Sequence, residues 1–83
     1  MKVAVSLFGF GEDRPHTFGN NDKLELTLQP QSAVIDALQS AGLATTHGIS
    51  VMLNNVLVPQ SDWASKVLAD TDALTVLMAI EGG

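Results

Sequence analysis

The sequence of 83 residues predicts an α+β fold in which one main helix packs on one face of a mixed sheet of four to five strands. Several stretches alternate apolar and polar residues, which is the period of a strand. One stretch, between the second and third strands, has apolar residues at helical spacing instead. A single helix covers only one face of a sheet. The order strand, strand, helix, strand, strand, short helix, strand is therefore that of a β-grasp domain.

The first two strands are predicted over residues 2–8 and around residues 24–28. Their inward faces carry an apolar residue at every second position: Val3, Val5, Leu7, Leu24, Leu26 and Leu28. Between them, residues 9–21 contain three glycines and Pro15, and they exceed the usual length of a hairpin loop. We therefore expect a bent, mobile or partner-contacting loop at this place.

The main helix is predicted over residues 33–41, where apolar residues have helical spacing. Ser32 is predicted as its N-cap and Gly42 as its stop, because these residue types favour the two ends of a helix. Ile35 occupies the position where the glutamate of a capping box would stand. The signal for the start of the helix is therefore only partial.

A hairpin is predicted over residues 49–58, turning at Asn54 and Asn55, which tolerate positive φ. Residues 60–68 predict a short helical turn that lays Trp63 on the edge of the sheet, as a packing residue rather than a ligand platform. The last predicted strand, residues 73–80, is apolar on both faces and is therefore expected at the centre of the sheet. In a β-grasp sheet it lies parallel to the first strand.

The composition disfavours several classes of function. The formal net charge of −5 disfavours binding to nucleic acid, which depends on neutralising phosphates, and favours basic partner surfaces. The absence of cysteine excludes a disulfide framework, a thiolate metal site and a thiol nucleophile. The apolar runs are too short to span a bilayer, and no signal-peptide core follows Met1 and Lys2, so a cytoplasmic protein is expected.

The chain ends in Ile80, Glu81, Gly82 and Gly83. Two glycines without side chains are slim enough to enter a narrow channel in another protein. Such an end adds nothing to a core, so we expect one domain over residues 1–83 with a flexible tail over residues 81–83. The chemistry of this tail would then lie in the Gly83 carboxylate.

Two runs before this tail resemble a known family. They are Val58-Pro59-Gln60-Ser61-Asp62-Trp63-Ala64 and Val67-Leu68-Ala69-Asp70-Thr71-Asp72, followed by an apolar strand and Gly82-Gly83. The last third of the chain thus resembles the ThiS/MoaD family of ubiquitin-like sulfur carrier proteins, with the thiazole-synthesis carrier as the nearest match. Three features depart from that pattern: Thr71 in place of glycine, Glu81 in place of a small residue, and the long loop over residues 9–21.

The resemblance implies a carrier protein that is not an enzyme and has no catalytic residues, metal or bound cofactor of its own. An adenylating enzyme using ATP and Mg²⁺ would activate the Gly83 carboxylate. A desulfurase or rhodanese-type sulfur donor would then displace AMP. The resulting thiocarboxylate would supply a sulfur-accepting synthase of thiamine (thiazole) or related cofactor biosynthesis. In this scheme Gly82 gives reach, and Glu81 is recognised by the partner.

Four apolar residues near the end of the sheet are predicted to bind that partner: Leu57, Val58, Met78 and Ile80. Burial in the core explains some of them equally well, and the sequence does not divide the set. Other candidate sites are disfavoured. His16 and His47 lack metal-site spacing, the glycines after Phe8 lack the context of a phosphate loop, and Asp70 with Asp72 is typical of a turn.

Three alternatives to a thiazole sulfur carrier stay open at this stage. The chain would equally suit the small subunit of a molybdopterin synthase or a ubiquitin-like modifier that is joined to target lysines. It would also suit an interaction module in which the two glycines are incidental. The receiving pathway, the oligomeric state and the role of residues 9–21 are not determined by the sequence.

Overall fold

A computed structural model of the chain describes residues 1–43 and 48–78. The strands and the helix within these residues are β1 (Lys2–Phe8), β2 (Lys23–Thr27), α1 (Val34–Ala41), β3 (Ile49–Leu53), β4 (Val56–Val58) and β5 (Ala73–Met78). Single 3₁₀ turns lie at Gly11–Asp13, His16–Phe18 and Gln60–Asp62. The predicted end of the last strand, residues 79 and 80, and the polar stretch at residues 44–47 lie outside the described residues.

The five strands form one sheet in the order β2-β1-β5-β3-β4. Strand β5 pairs in parallel with β1 and antiparallel with β3, whereas the β1–β2 and β3–β4 pairs are antiparallel. The predicted β-grasp, with the last strand at the centre and parallel to the first, is confirmed. Both edges of β5 are paired there, and its inner face carries the buried Leu74 and Val76.

The core lies between the sheet and α1. Strands β1 and β5 alternate strictly, so that Val3, Val5 and Leu7 are buried and the residues between them are not. From the helix, the buried side chains are Val34, Ala37, Leu38 and Ala41, which lie on one face at helical spacing. Burial of this apolar surface is the main favourable term in folding.

The start of α1 differs from the predicted one by one residue. The N-cap is Ala33, and the backbone N–H of Ala33 donates to Asp36 Oδ2 at 2.8 Å. The capping carboxylate therefore comes from Asp36, whereas the prediction looked for it at Ile35. The Ser32 hydroxyl does not cap the helix, because it donates to the carbonyl of Gln29 at 2.7 Å.

The long segment after β1, residues 9–21, packs against the core through two aromatic residues. Phe10 and Phe18 are both buried and belong to the core cluster. The Thr17 hydroxyl donates to the Ala41 carbonyl, which satisfies one of the acceptors left free at the end of a helix. Arg14 also forms an ion pair with Asp22 at 2.9 Å. The loop thus closes the C-terminal end of α1.

The hairpin between β3 and β4 turns as predicted. Asn54 and Asn55 have φ values of 49° and 70°, which is typical of the two-residue turns that match the twist of a hairpin. Asn54 also connects this turn to the first residue of β5, because its Oδ1 accepts from the Ala73 N–H at 3.0 Å. Its Nδ2 donates to Asp72 Oδ1 at 3.0 Å.

The helical turn predicted over residues 60–68 is present only at Gln60–Asp62. It does not continue because the backbone beyond it bonds to the start of α1. The Leu68 N–H donates to the Ser32 carbonyl at 2.8 Å, and the Lys66 carbonyl accepts from the Val34 N–H at 2.9 Å. Trp63 is buried, and its indole N–H donates to the Val58 carbonyl at 3.0 Å, which confirms its packing role beside the edge strand β4.

Thr71 has a φ of 71°, in the left-handed region that β-branched residues rarely adopt. Its N–H donates to the Lys2 carbonyl at 2.8 Å, a bond that glycine can also make. The substitution Thr71→Gly should raise the free energy of unfolding by about 1 kcal/mol, because the strain it releases exceeds the entropy it adds to the unfolded chain. Urea denaturation followed by Trp63 fluorescence measures the change.

The matched control is Asn55→Gly, at a φ of 70°. Asparagine tolerates this conformation, so the control should change the free energy of unfolding by only about 0.5 kcal/mol or less. A Thr71→Gly protein less stable than the wild type would show that Thr71 stores no strain.

Candidate functional site

The structure places the candidate site at the C-terminal end of β5, from which the chain continues towards its last residues. Met78 is the last residue described there, and it pairs with Ile49 of β3. On the other side lies Gly9, where an added Cβ would be 3.6 Å from the Met78 carbonyl oxygen. The predicted tail residues, Ile80, Glu81, Gly82 and Gly83, lie outside the described residues.

The face of the sheet that points away from α1 carries an apolar patch that begins at this end. We define the patch as Phe8, Met52, Leu57 and Leu77. The strand register places its members in two pairs, Phe8 with Leu77 across β1 and β5, and Met52 with Leu57 across β3 and β4. The second pair is level with Thr75 of β5, so its members are diagonal neighbours of the first pair. The side chains of Phe8 and Leu57 are 58% and 60% exposed, and Met52 and Leu77 are half-buried.

The four residues predicted from the sequence to bind a partner do not share one environment in the structure. Leu57 is on the apolar patch. Val58, the next residue, is buried at 6% exposure, because successive side chains of a strand point to opposite faces. Val58 is therefore removed from the set. Met78 is half-buried and packs against the core from the inner face.

Three members of the apolar patch, Phe8, Met52 and Leu77, were not among the residues predicted to bind a partner. The signal for two of them was present, because the alternation of β1 and β5 places Phe8 and Leu77 on the face opposite to the core residues. That signal did not show that the opposite face is open. Met52 became part of the patch only through its pairing with Leu57 in the hairpin.

The other end of the same face is charged. Lys2 and Glu25 form an ion pair at 3.2 Å, with about two-thirds of each side chain exposed. Asp70 Oδ1 accepts from the Lys2 backbone N–H at 2.7 Å, and Asp72 Oδ2 accepts from the Ala69 N–H at 2.7 Å. Both aspartates therefore act as turn residues, as predicted. The apolar and charged surfaces are separated along the length of the strands.

The described part of the chain offers little to a metal ion. Among residues 1–43 and 48–78, no group of three or more His, Asp or Glu side chains is arranged to hold one. His16 is exposed, and His47 lies outside the described residues. Over the same residues, no helix has both the length and the apolar character needed to cross a membrane.

Comparison with solved structures identifies the class of protein. SAMP1 from Haloferax volcanii superimposes with a TM-score of 0.71 at 15% identity, covering 100% of both chains. The thiamine biosynthesis protein ThiS from Geobacter metallireducens superimposes with a TM-score of 0.67 at 18% identity, again covering 100% of both chains. The third structure is the complex of subunits 1 and 2 of the molybdopterin-converting factor from Helicobacter pylori. The matching chain superimposes with a TM-score of 0.60 at 22% identity, covering 100% of both chains. These likenesses define a ubiquitin-like β-grasp protein.

The sequence itself specifies the family within that class. The profile of the ThiS family matches residues 10–83. The chain belongs to the ThiS family, and the predicted resemblance to ThiS and MoaD proteins is confirmed. A search of curated proteins finds no match.

The opposite orientation of Leu57 and Val58 can be tested by truncating each side chain. Val58→Ala should lower the free energy of unfolding by about 2 kcal/mol, because it removes buried apolar surface and leaves a cavity. Leu57→Ala should change it by about 0.5 kcal/mol or less, since that side chain is mostly in solvent. Chemical denaturation compares the two variants, and equal losses would contradict the assigned register of β4.

Proposed function

We propose that this protein is a sulfur carrier whose Gly83 carboxylate is activated by a partner enzyme and converted to a thiocarboxylate. The observation that carries the proposal is the family match, which extends through residue 83 and so includes the two terminal glycines. The position of β5 supports it. The strand that leads to the tail is held at the centre of the sheet and ends beside the apolar patch.

The chemistry follows from the weakness of a carboxylate as an electrophile. A Gly83 carboxylate oxygen attacks the α-phosphorus of ATP on the partner enzyme, and pyrophosphate leaves. The terminal sulfur of a persulfide on the donor protein then attacks the Gly83 carbonyl carbon, and AMP leaves. A thiol reduces the resulting acyl disulfide by taking over the donor's sulfur, which releases the chain with a terminal thiocarboxylate. Gly82 supplies the slimness that lets the tail reach these active sites.

The apolar patch is the surface that we propose to dock on the adenylating enzyme. Exposed aromatic and aliphatic side chains that cluster on a soluble domain mark interaction sites. Phe8 and Leu77 lie at the end of the strands from which the tail continues, so a partner that covers them also faces the tail. The net charge of −5 favours a partner whose surrounding surface is basic.

Thiamine (thiazole) biosynthesis is the receiving pathway that we propose, because the family match and the Geobacter metallireducens protein both point to it. Two alternatives have structural relatives of their own. The Helicobacter pylori molybdopterin-converting factor supports a role as the small subunit of a synthase, and SAMP1, the small archaeal modifier protein 1, supports a role as a protein modifier. The three roles share the activation of Gly83 and differ in what receives the activated tail.

The activated tail can be tested by its reaction with a maleimide. Because the chain has no cysteine, a thiocarboxylate would be the only thiol-like sulfur that reacts with a maleimide at neutral pH. Co-expression with the adenylating enzyme and a sulfur donor should give an intact mass with one oxygen replaced by sulfur, and N-ethylmaleimide should alkylate that fraction once. Deletion of Gly83 should abolish both the alkylation and ATP–pyrophosphate exchange without changing the urea midpoint.

The remaining outcomes of this experiment separate the alternatives. A modifier would appear as conjugates of higher mass on target lysines. An interaction module would show neither conjugates nor alkylation, and it would overturn the proposal. Complementation of strains that lack either the thiazole carrier or the small subunit of molybdopterin synthase then identifies the pathway.

The docking role of the patch can be tested with a charge placed on either side of it. Phe8→Asp and Leu57→Asp should each raise the KM for the carrier in ATP–pyrophosphate exchange by about tenfold or more, because a buried unpaired carboxylate is costly at an interface. Val56→Asp is the matched control. Val56 is 67% exposed on the same strand but points to the other side of β4. An equal rise for Val56→Asp would contradict docking through the patch.

A further inference from the structure

The two edges of the sheet differ in how much backbone they leave free. Strand β4 forms one edge and has only three residues. Val56 and Val58 turn their peptide groups towards β3, since alternate residues of an antiparallel strand bond to the same neighbour. The Val58 carbonyl also accepts from the indole N–H of Trp63. At this edge Leu57 alone turns its N–H and C=O outwards.

The edge formed by β2 is longer and open. The Asp22 carbonyl accepts from the Leu7 N–H at 2.7 Å, and the Leu28 N–H donates to the Met1 carbonyl at 2.8 Å. These bonds fix the alternation, so that even-numbered residues of β2 bond to β1 and odd-numbered residues point away from it. Lys23, Glu25 and Thr27 therefore direct three N–H and three C=O groups outwards. Among residues 1–43 and 48–78, no loop or turn backbone bonds to these groups.

We propose that this edge pairs with the same edge of a second copy of the chain, as an antiparallel β2–β2 pair centred on Leu24. In this register Lys23 of one copy lies opposite Glu25 of the other, and the two-fold axis repeats the contact. Each of these two residue pairs exchanges two backbone hydrogen bonds. Leu24 meets its own equivalent across the axis, on the helix side of the sheet, where it is half-buried in the single chain.

Charge complementarity selects this register among those that the alternation allows. Charged residues on an edge strand usually keep strands from pairing. With Leu24 at the axis, both Lys23 side chains face a carboxylate on the open face of the sheet. A pair centred on Glu25 would instead place the two carboxylates opposite each other. Opposite charges across a strand pair stabilise it, and like charges destabilise it.

The proposed pair is compatible with a carrier role but does not depend on it. Strand β1 separates β2 from β5, so pairing at β2 leaves the end of β5 uncovered. The apolar patch lies towards the opposite edge, on β1, β5, β3 and β4. The result would be a continuous sheet of ten strands in which the end of β5 is uncovered in both copies. Its association can be measured on the purified chain without any activating enzyme.

Disulfide trapping tests the register directly, because the chain has no cysteine of its own. Leu24→Cys places two thiols in a pair whose backbone groups do not bond to each other, with Cα atoms about 4.5 Å apart, a separation that a disulfide can bridge. The matched control is Thr27→Cys on the same strand. In this register the two Thr27 Cα atoms are about 20 Å apart along the strands. Mild oxidation should yield a covalent dimer of the first variant and not of the second.

Charge reversal tests the same pair without a cysteine and without changing a core position. Lys23→Glu should weaken association in sedimentation experiments by about tenfold, since it places like charges opposite each other twice. The double variant with Lys23→Glu and Glu25→Lys should restore it. Three results would each overturn the proposal. The wild-type chain could stay monomeric at millimolar concentration, or the cysteine variants at positions 24 and 27 could be trapped equally. The double variant could also associate as weakly as the single one. None of these results would bear on activation of Gly83.

Discussion

The parallel pairing of β1 with β5 is the contact on which the rest of this structure depends. It joins the two ends of the chain, because the Ala4 N–H donates to the Asp72 carbonyl at 3.1 Å and the Thr71 N–H donates to the Lys2 carbonyl at 2.8 Å. A parallel pair cannot be closed by a short turn, so everything between the two strands serves as the connection. The helix, the hairpin and the segment around Trp63 all lie within it.

This pairing also determines where the candidate site lies. It places the strand that leads to Gly83 at the centre of the sheet, with neighbours on both sides that hold its direction. It brings Phe8, at the end of the first strand, beside Leu77, near the end of the last one. Residues from both ends of the sequence thus lie side by side at the end of β5.

The division of the open face follows from the same register. Near the start of β1 the open face is charged, because Lys2 and Glu25 form an ion pair there. At the end of β1, Phe8 pairs with Leu77 of β5, and both side chains are apolar. The open face is therefore charged near the turn at Asp70, and apolar side chains follow farther along the strands.

Much of the fold could be predicted from local patterns alone. The alternation in β1, β2 and β5 predicted the strands, Asn54 and Asn55 predicted the hairpin turn, and the two-sided apolar character of the last strand predicted its central position. These features depend on neighbours along the chain, so the sequence carries them directly. The two terminal glycines and the runs before them likewise pointed to the family.

The sequence by itself determined the order of strands and helix along the chain and the class of protein, because period, turn chemistry and composition are local properties. Only the tertiary structure decided which apolar residues are surface. Leu57 and Val58 are equally apolar, and their separation into patch and core depends on the register with β3. The capping of α1 by Asp36 and the end of the turn after Asp62 also required it, since both depend on backbone groups that meet only when the chain is folded.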